Sequence, residues 1–174
     1  MCIRDRPNAA AIYTQAFAAR MPNVDSLRNS VLDGSDNMRH DVAVYWMADR
    51  VEEVNPQMLN LARAARDIEA VDWGRSTVRR RAMWIGNYYN NARTLANDLA
   101  DIGVVRSYRG DDLAAIEYYR DLLRLSRATA ADRTLIGSLV GMGITAVTLD
   151  AAPLAALDWL RLEGGADPSR AGSE

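Results

Sequence analysis

At 174 residues, with 49% hydrophobic and 25% charged residues, the chain is long enough to bury one domain-sized core and has an ordinary globular charge content. A formal net charge of -2 excludes a general electrostatic attraction to nucleic acid or to anionic membranes. One Cys and one His exclude an internal disulfide and most metal sites, including zinc clusters and di-iron bundles built on Glu-x-x-His pairs, so no cofactor is expected.

Met1 to Arg6 reads MCIRDR and fits nothing that follows. It resembles translated adapter sequence of the kind that contaminates metagenomic assemblies. The expected organisation is a non-native leader over 1–6, a single helical domain over 7–162 and a disordered tail over 163–174, where Gly, Ser, Ala and Pro accumulate. A bacterial source and a fragment of a longer chain fit these ends. No signal-peptide core lies between Arg6 and Arg20, which leaves the cytoplasm as the default location. Every basic residue is Arg, which reads as the coding bias of a GC-rich genome.

Asn8 is placed to cap a first helix running to about Arg20, with Ile12, Phe17 and Met21 as its apolar side. Asp25 or Ser26 starts a short helix through Leu32, and Asp33 to Asp36 form a turn. A helix from Asp36 or Asn37 to about Val54 carries Val42, Tyr45, Trp46, Asp49 and Val54 on one side. Asn55-Pro56 then starts a helix bearing Met58, Leu59, Leu61, Ala62, Ala65 and Ile68, broken at Asp72-Trp73-Gly74. A long helix is expected from about Thr77 to Arg109, with Met83, Trp84, Tyr88, Ala92, Leu95, Leu99, Ile102 and Val105 inward. Gly110-Asp111 turns the chain into a helix ending near Ala128. Asp132 caps another, Arg133 to Leu149, and Pro153 opens a last short one ending at Leu162. No alternating run signals a strand.

The segment Leu99 to Leu125 is the most informative. Leu99, Ile102 and Gly103 precede the Gly110-Asp111 turn, and Ala115, Ile116, Tyr119, Leu122 and Leu123 follow it at helical spacing. Gly103 and Ala115 are small enough for two helices to approach closely. This order of apolar, Gly, turn, Ala and aromatic resembles the tetratricopeptide repeat. Leu99 stands where that repeat has Trp, Arg106 where it has Tyr, and Arg127 where it has Pro. A step of about 34 residues from Gly103 reaches Gly137, but Leu149 and Pro153 depart from the second half of a further unit. The resemblance implies an interaction scaffold. The expected fold is all-α: about seven helices in antiparallel hairpins, forming a tetratricopeptide-like right-handed superhelix or an irregular bundle.

Leu135 to Leu149 carries no charge and contains Gly137, Gly141 and Gly143. At about 15 residues it is short of the ~20 a membrane span needs, so it reads as a buried central helix. Arg79-Arg80-Arg81 and Tyr88-Tyr89 are too isolated in an acidic chain to indicate nucleic-acid binding. Asp98 and Asp101 share a helix face and read as solvated, as does His40. The expected function is a non-enzymatic protein- or peptide-binding module, whose groove residues would be Tyr88, Asn91, Arg106, Asp72 and Trp73. Trp73 reads first as a loop anchor. The alternative is a ligand-binding or enzymatic bundle using carboxylate, Arg and Tyr groups, for instance Asp72, Arg79 and Tyr88 in one cleft.

Overall fold

The computed structural model describes the backbone of residues 7–20, 40–73, 78–132 and 134–164, and within these the side chains of 7–20, 45–73, 87–132 and 134–152. Six helices and no strand occur among the described residues: α1 (Ala9–Ala19), α2 (His40–Val54), α3 (Pro56–Ala64), α4 (Val78–Tyr108), α5 (Asp112–Ala130) and α6 (Leu135–Gly164). The fold is all-α, as the periodicity dictates. The expected Asp25–Leu32 helix and the Asp33–Asp36 turn lie outside the described residues.

Local sequence sets the helix boundaries. The Asn8 side chain accepts from the Ala10 amide at 3.1 Å and so caps α1. The same Asn8 holds the extended stretch before α4, accepting from the Asp72 amide at 2.9 Å and donating to the Asp72 carbonyl at 2.7 Å. Pro56 opens α3 as expected, but the Asn55 side chain makes no capping bond. Gly110 takes φ 76°, the left-handed conformation that a glycine adopts without a Cβ clash. Asp111 caps α5 through the Ala114 amide.

Several expectations shift. The buried side of α1 is Ala9, Ala10, Tyr13 and Ala16, with Ile12 and Phe17 only partly covered. The buried side of α2 is Met47, Ala48 and Val51, whereas Trp46 is exposed. Helix α3 stops at Ala64, so Ile68 sits beyond it in a segment pinned by the Ala9 amide on the Ala70 carbonyl at 2.9 Å. The cap of α6 is Thr134, whose hydroxyl accepts from the Gly137 amide at 2.9 Å. Asp132 instead accepts from the Tyr89 hydroxyl at 2.7 Å. Helix α6 also runs through Pro153 without a break: a proline forfeits one backbone bond there, but it does not set a new start.

The core is a helical layer built around α4 and α5. From α4, Tyr88, Ala92, Leu95, Leu99, Ile102 and Val105 are buried, as the spacing predicts. Ala115, Leu122 and Leu125 of α5 meet them. A Cβ on Gly103 would lie 2.7 Å from Tyr119 Cε1. The space at Gly103 is therefore taken by the Tyr119 ring, not by the Ala115 methyl. On the other side of α5, Gly141 of α6 approaches the Ser126 carbonyl and Ala130 so closely that a Cβ would sit 3.0 Å from each.

Candidate functional site

Among the described residues, four features outside the core offer a surface, a cavity or a cluster of charge, and they lie at different places on the fold. The first is the outer face of α6. Leu135, Ile136, Leu139, Met142 and Leu149 keep 77%, 51%, 54%, 60% and 65% of their surface exposed. Gly137, Gly141, Ile144 and Thr148 face inward on α5 and α4. The expected buried central helix is therefore corrected: α6 is an edge helix, apolar on both faces and covered on one. The reason is that α5 and α4 supply neighbours on one side only. By length and composition Leu135–Ala152 is apolar enough to cross a membrane, and 22% of it is buried within the chain. A core helix would be mostly covered. Beside the exposed face, a groove of about 310 Å³ opens between α4 and α6, floored by Ala96, Val140, Ile144 and Val147 and rimmed by Arg93 and Asn97.

The second is an open polar cleft of about 520 Å³, lined by Glu69, Asp72, Trp73, Arg124, Arg127 and Asp132. Two of its charged groups, Arg124 and Asp132, are committed inside the fold. Arg124 donates to the Ile68 carbonyl. Asp132 accepts from Tyr89 and from Thr134 at 3.1 Å. Arg127 extends from the last turn of α5, where a cation is favoured by the helix dipole.

A third, smaller pocket of about 200 Å³ lies between α1 and α4 and includes Thr14, Phe17, Asn87, Tyr88 and Asn91. The fourth is the α2 junction, where Arg106 binds Glu52 at 2.7 Å and Asp111 at 3.4 Å. The Tyr118 hydroxyl donates to the same Glu52 at 2.7 Å. Arg109 pairs with Asp49 through both nitrogens at 2.7 and 2.8 Å. This bidentate pairing holds the Asp49 carboxyl below its ordinary range.

The five expected groove residues therefore separate. Trp73 and Tyr88 do come together, with ring centroids 4.1 Å apart. Both are buried, and the Trp73 indole donates to the Ala128 carbonyl at 2.8 Å. Trp73 is the loop's anchor. Burial pushes the Tyr88 hydroxyl well above the usual phenol range. Asn91 is exposed at the small α1–α4 pocket, and Asp72 is exposed at the polar cleft. Arg106 lies 18 positions along α4 from Tyr88, ~27 Å at the helical rise, and is engaged in the α2 clamp. No single groove holds all five. The side chain of Arg79, invoked for a cleft with Asp72 and Tyr88, lies outside the described residues, as do those of Arg80, Arg81 and His40.

Two buried carboxylates are ion-paired, and the first differs from expectation. Asp98 is not solvated: it is buried and accepts from Arg20 Nε at 2.8 Å. Asp121, also buried, faces Arg63 Nε at 3.3 Å. Arg66 Nε is 2.9 Å from Asp121 Oδ1 but out of line for a hydrogen bond, so that contact is Coulombic. Burial raises the Asp121 carboxyl above its usual range, with Arg66 and Arg63 opposing. Arg66 also reaches Glu117, whose carboxyl the Arg66 and Arg120 hydrogen bonds hold low. This cluster ties α3 to α5 and is closed to solvent at Asp121, which gives it a structural role. Among the described residues no group of three His, Cys, Asp or Glu side chains could hold a metal ion.

The groove reading did not select the outer face of α6, yet its signal is in the sequence. Leu135, Leu139, Met142, Ala146 and Leu149 repeat at steps of four and three, and a stretch without charge on any side leaves such a stripe nothing to hide behind. The residues of the polar cleft come from two segments far apart in the chain, 69–73 and 124–132, and no local pattern joins them. Comparison with protein-family models, with curated proteins and with solved structures returns no match to this chain.

Proposed function

We propose that this chain is a non-enzymatic docking module that binds another polypeptide through the outer face of α6 and the groove it forms with α4. The observation that carries the reading is the continuous apolar surface of Leu135, Leu139, Met142 and Leu149 on an otherwise well-packed helical layer. Contiguous exposed apolar patches on monomers mark interaction sites. An amphipathic helix laid into a groove is the recognition mode this geometry suits. Aliphatic residues at its centre with Arg93 and Asn97 at its rim match the anatomy of protein interfaces.

The α4–α5 hairpin, with its Gly103 contact and its Gly110 turn, supports a tetratricopeptide-like architecture, a scaffold class that works by such surfaces. Against an enzyme stand the commitments of the polar groups described above: acids and bases that already neutralise one another inside the fold have little left for substrate.

The test is site-specific photo-crosslinking in cells. A photoreactive side chain replacing Met142 gives a discrete adduct with a polypeptide, whether another protein or a second copy, and one replacing Arg127 does not. Absence of any adduct from position 142 refutes the proposal. A second reading, a small charged ligand in the polar cleft, is favoured by its volume of about 520 Å³, within the range of small-molecule sites. Its test is stabilisation by a library of zwitterionic metabolites that is lost in Arg127→Ala.

A further inference from the structure

We infer that the partner seated on α6 is a second copy of this chain, arranged antiparallel about a two-fold axis through Met142; this rests on the docking reading above and gives it an occupant. The first ground is the spacing. Leu135, Leu139, Met142, Ala146 and Leu149 advance by four, three, four and three, and on a helix they fall within an arc of ~80°. That is the seam of a two-helix coiled-coil contact, and all but Ala146 are large side chains exposed by half or more.

The second ground is Gly143. It lies beside the stripe with nothing within 4 Å of where its Cβ would be. Gly137 and Gly141 are explained by close contact with Thr129, Ser126 and Ala130, but nothing among the described residues fills the gap at Gly143. A facing helix that approaches closely would.

The third ground is area. Leu135, Leu139, Met142 and Leu149, with Ile136 beside them, are each exposed by half or more, on the order of 600 Å² of apolar surface, against the ~800 Å² per partner that specific interfaces bury. The stripe is self-complementary, as an isologous contact requires. Antiparallel packing sets Leu139 against the partner's Ala146 and Leu135 against the partner's Leu149, so large meets small near the centre. Parallel packing would set Ala146 against its own equivalent and leave a void. A bilayer is the poorer occupant, because Arg93 and Asn97 line the same groove and would enter hydrocarbon with it.

The experiment is sedimentation velocity of the full chain at micromolar concentration, beside Leu139→Glu and Met142→Glu, with helical circular dichroism as the folding control. The parent sediments at twice 19.2 kDa and both variants at that single mass with unchanged helicity. In a Cys2→Ser background, Met142→Cys forms an intermolecular disulfide on oxidation and Leu135→Cys does not, because only position 142 lies on the axis. A monomeric parent overturns the second copy. The docking reading then still stands if position 142 photo-crosslinks to another protein, and falls if it does not. A dimer untouched by both Glu variants, ready crosslinking of Leu135→Cys to itself, or flotation of the parent with phosphatidylglycerol–phosphatidylcholine vesicles that is lost in Leu139→Glu each overturn the inference.

Discussion

Gly141 offers the most direct check on how α6 is seated. A Cβ there lies 3.0 Å from the Ala130 Cβ, 3.0 Å from the Ser126 carbonyl oxygen and 3.3 Å from the Ala130 amide nitrogen. Two of those three atoms are backbone of α5, and α5 cannot swing away. The Ser126 hydroxyl donates to the Gly141 carbonyl at 2.8 Å and lies 2.7 Å from the Thr145 hydroxyl, so the two helices are fastened where the extra atoms would go. Gly141→Leu therefore overpacks a fixed contact, at a cost of ~3 kcal/mol, against a gain of ~1 kcal/mol from replacing glycine in a helix. The net loss of ~2 kcal/mol lowers Tm by ~4–8 °C for a chain of this length. Gly143→Ala, two positions away, meets nothing and keeps only the propensity gain. In the Leu139→Glu background, chosen to remove the proposed self-association, it raises Tm by ~2 °C. Differential scanning calorimetry reads both. A Gly141→Leu protein that melts with or above its parent would show that α6 does not pack on α5 through this residue.

Other substitutions probe the remaining contacts. Trp73→Ala removes the ring that packs at a tilt against Tyr88 and the indole bond to Ala128; we expect a loss of ~3–5 kcal/mol by urea denaturation, and a loss under 1 kcal/mol would contradict its role as anchor. Asp121 and Glu117 pull pH dependence in opposite senses. The folded state holds the Asp121 proton more tightly than the unfolded chain, so acidification toward about pH 4 adds stability through Asp121. Glu117, held low by Arg66 and Arg120, contributes stability above about pH 4.5 that is lost as pH falls below it. Asp121→Asn removes the first contribution, and Tm from pH 7 to pH 4 then falls more steeply than in the parent; a shallower fall would refute the assignment. The clamp of α2 is tested by a double-mutant cycle on Arg106→Ala and Glu52→Ala, with an expected coupling of ~1 kcal/mol for a partly exposed pair. A coupling indistinguishable from zero would leave Tyr118 and the apolar face of α2 to hold that helix.

The sequence by itself determined the elements that rest on local chemistry. Asn8 caps α1 because its side chain reaches the second amide of its own helix, and Gly110 turns because only a glycine enters the left-handed region without strain. The inward side of α4 from Tyr88 to Val105 followed from spacing alone, since a helix of that length must bury one stripe. Tertiary structure decided the rest, because it turns on which neighbour arrives from elsewhere in the chain. Tyr88 and Trp73 are as able to line a groove as to fill a core, and the arrival of α1 and α5 closed them in. Asp98 became buried because Arg20, 78 positions away, came to meet it. The apolar run of α6 fits the middle of a bundle or its edge equally well. Only the placement of α4 and α5 on one side left Leu135, Leu139, Met142 and Leu149 facing outward.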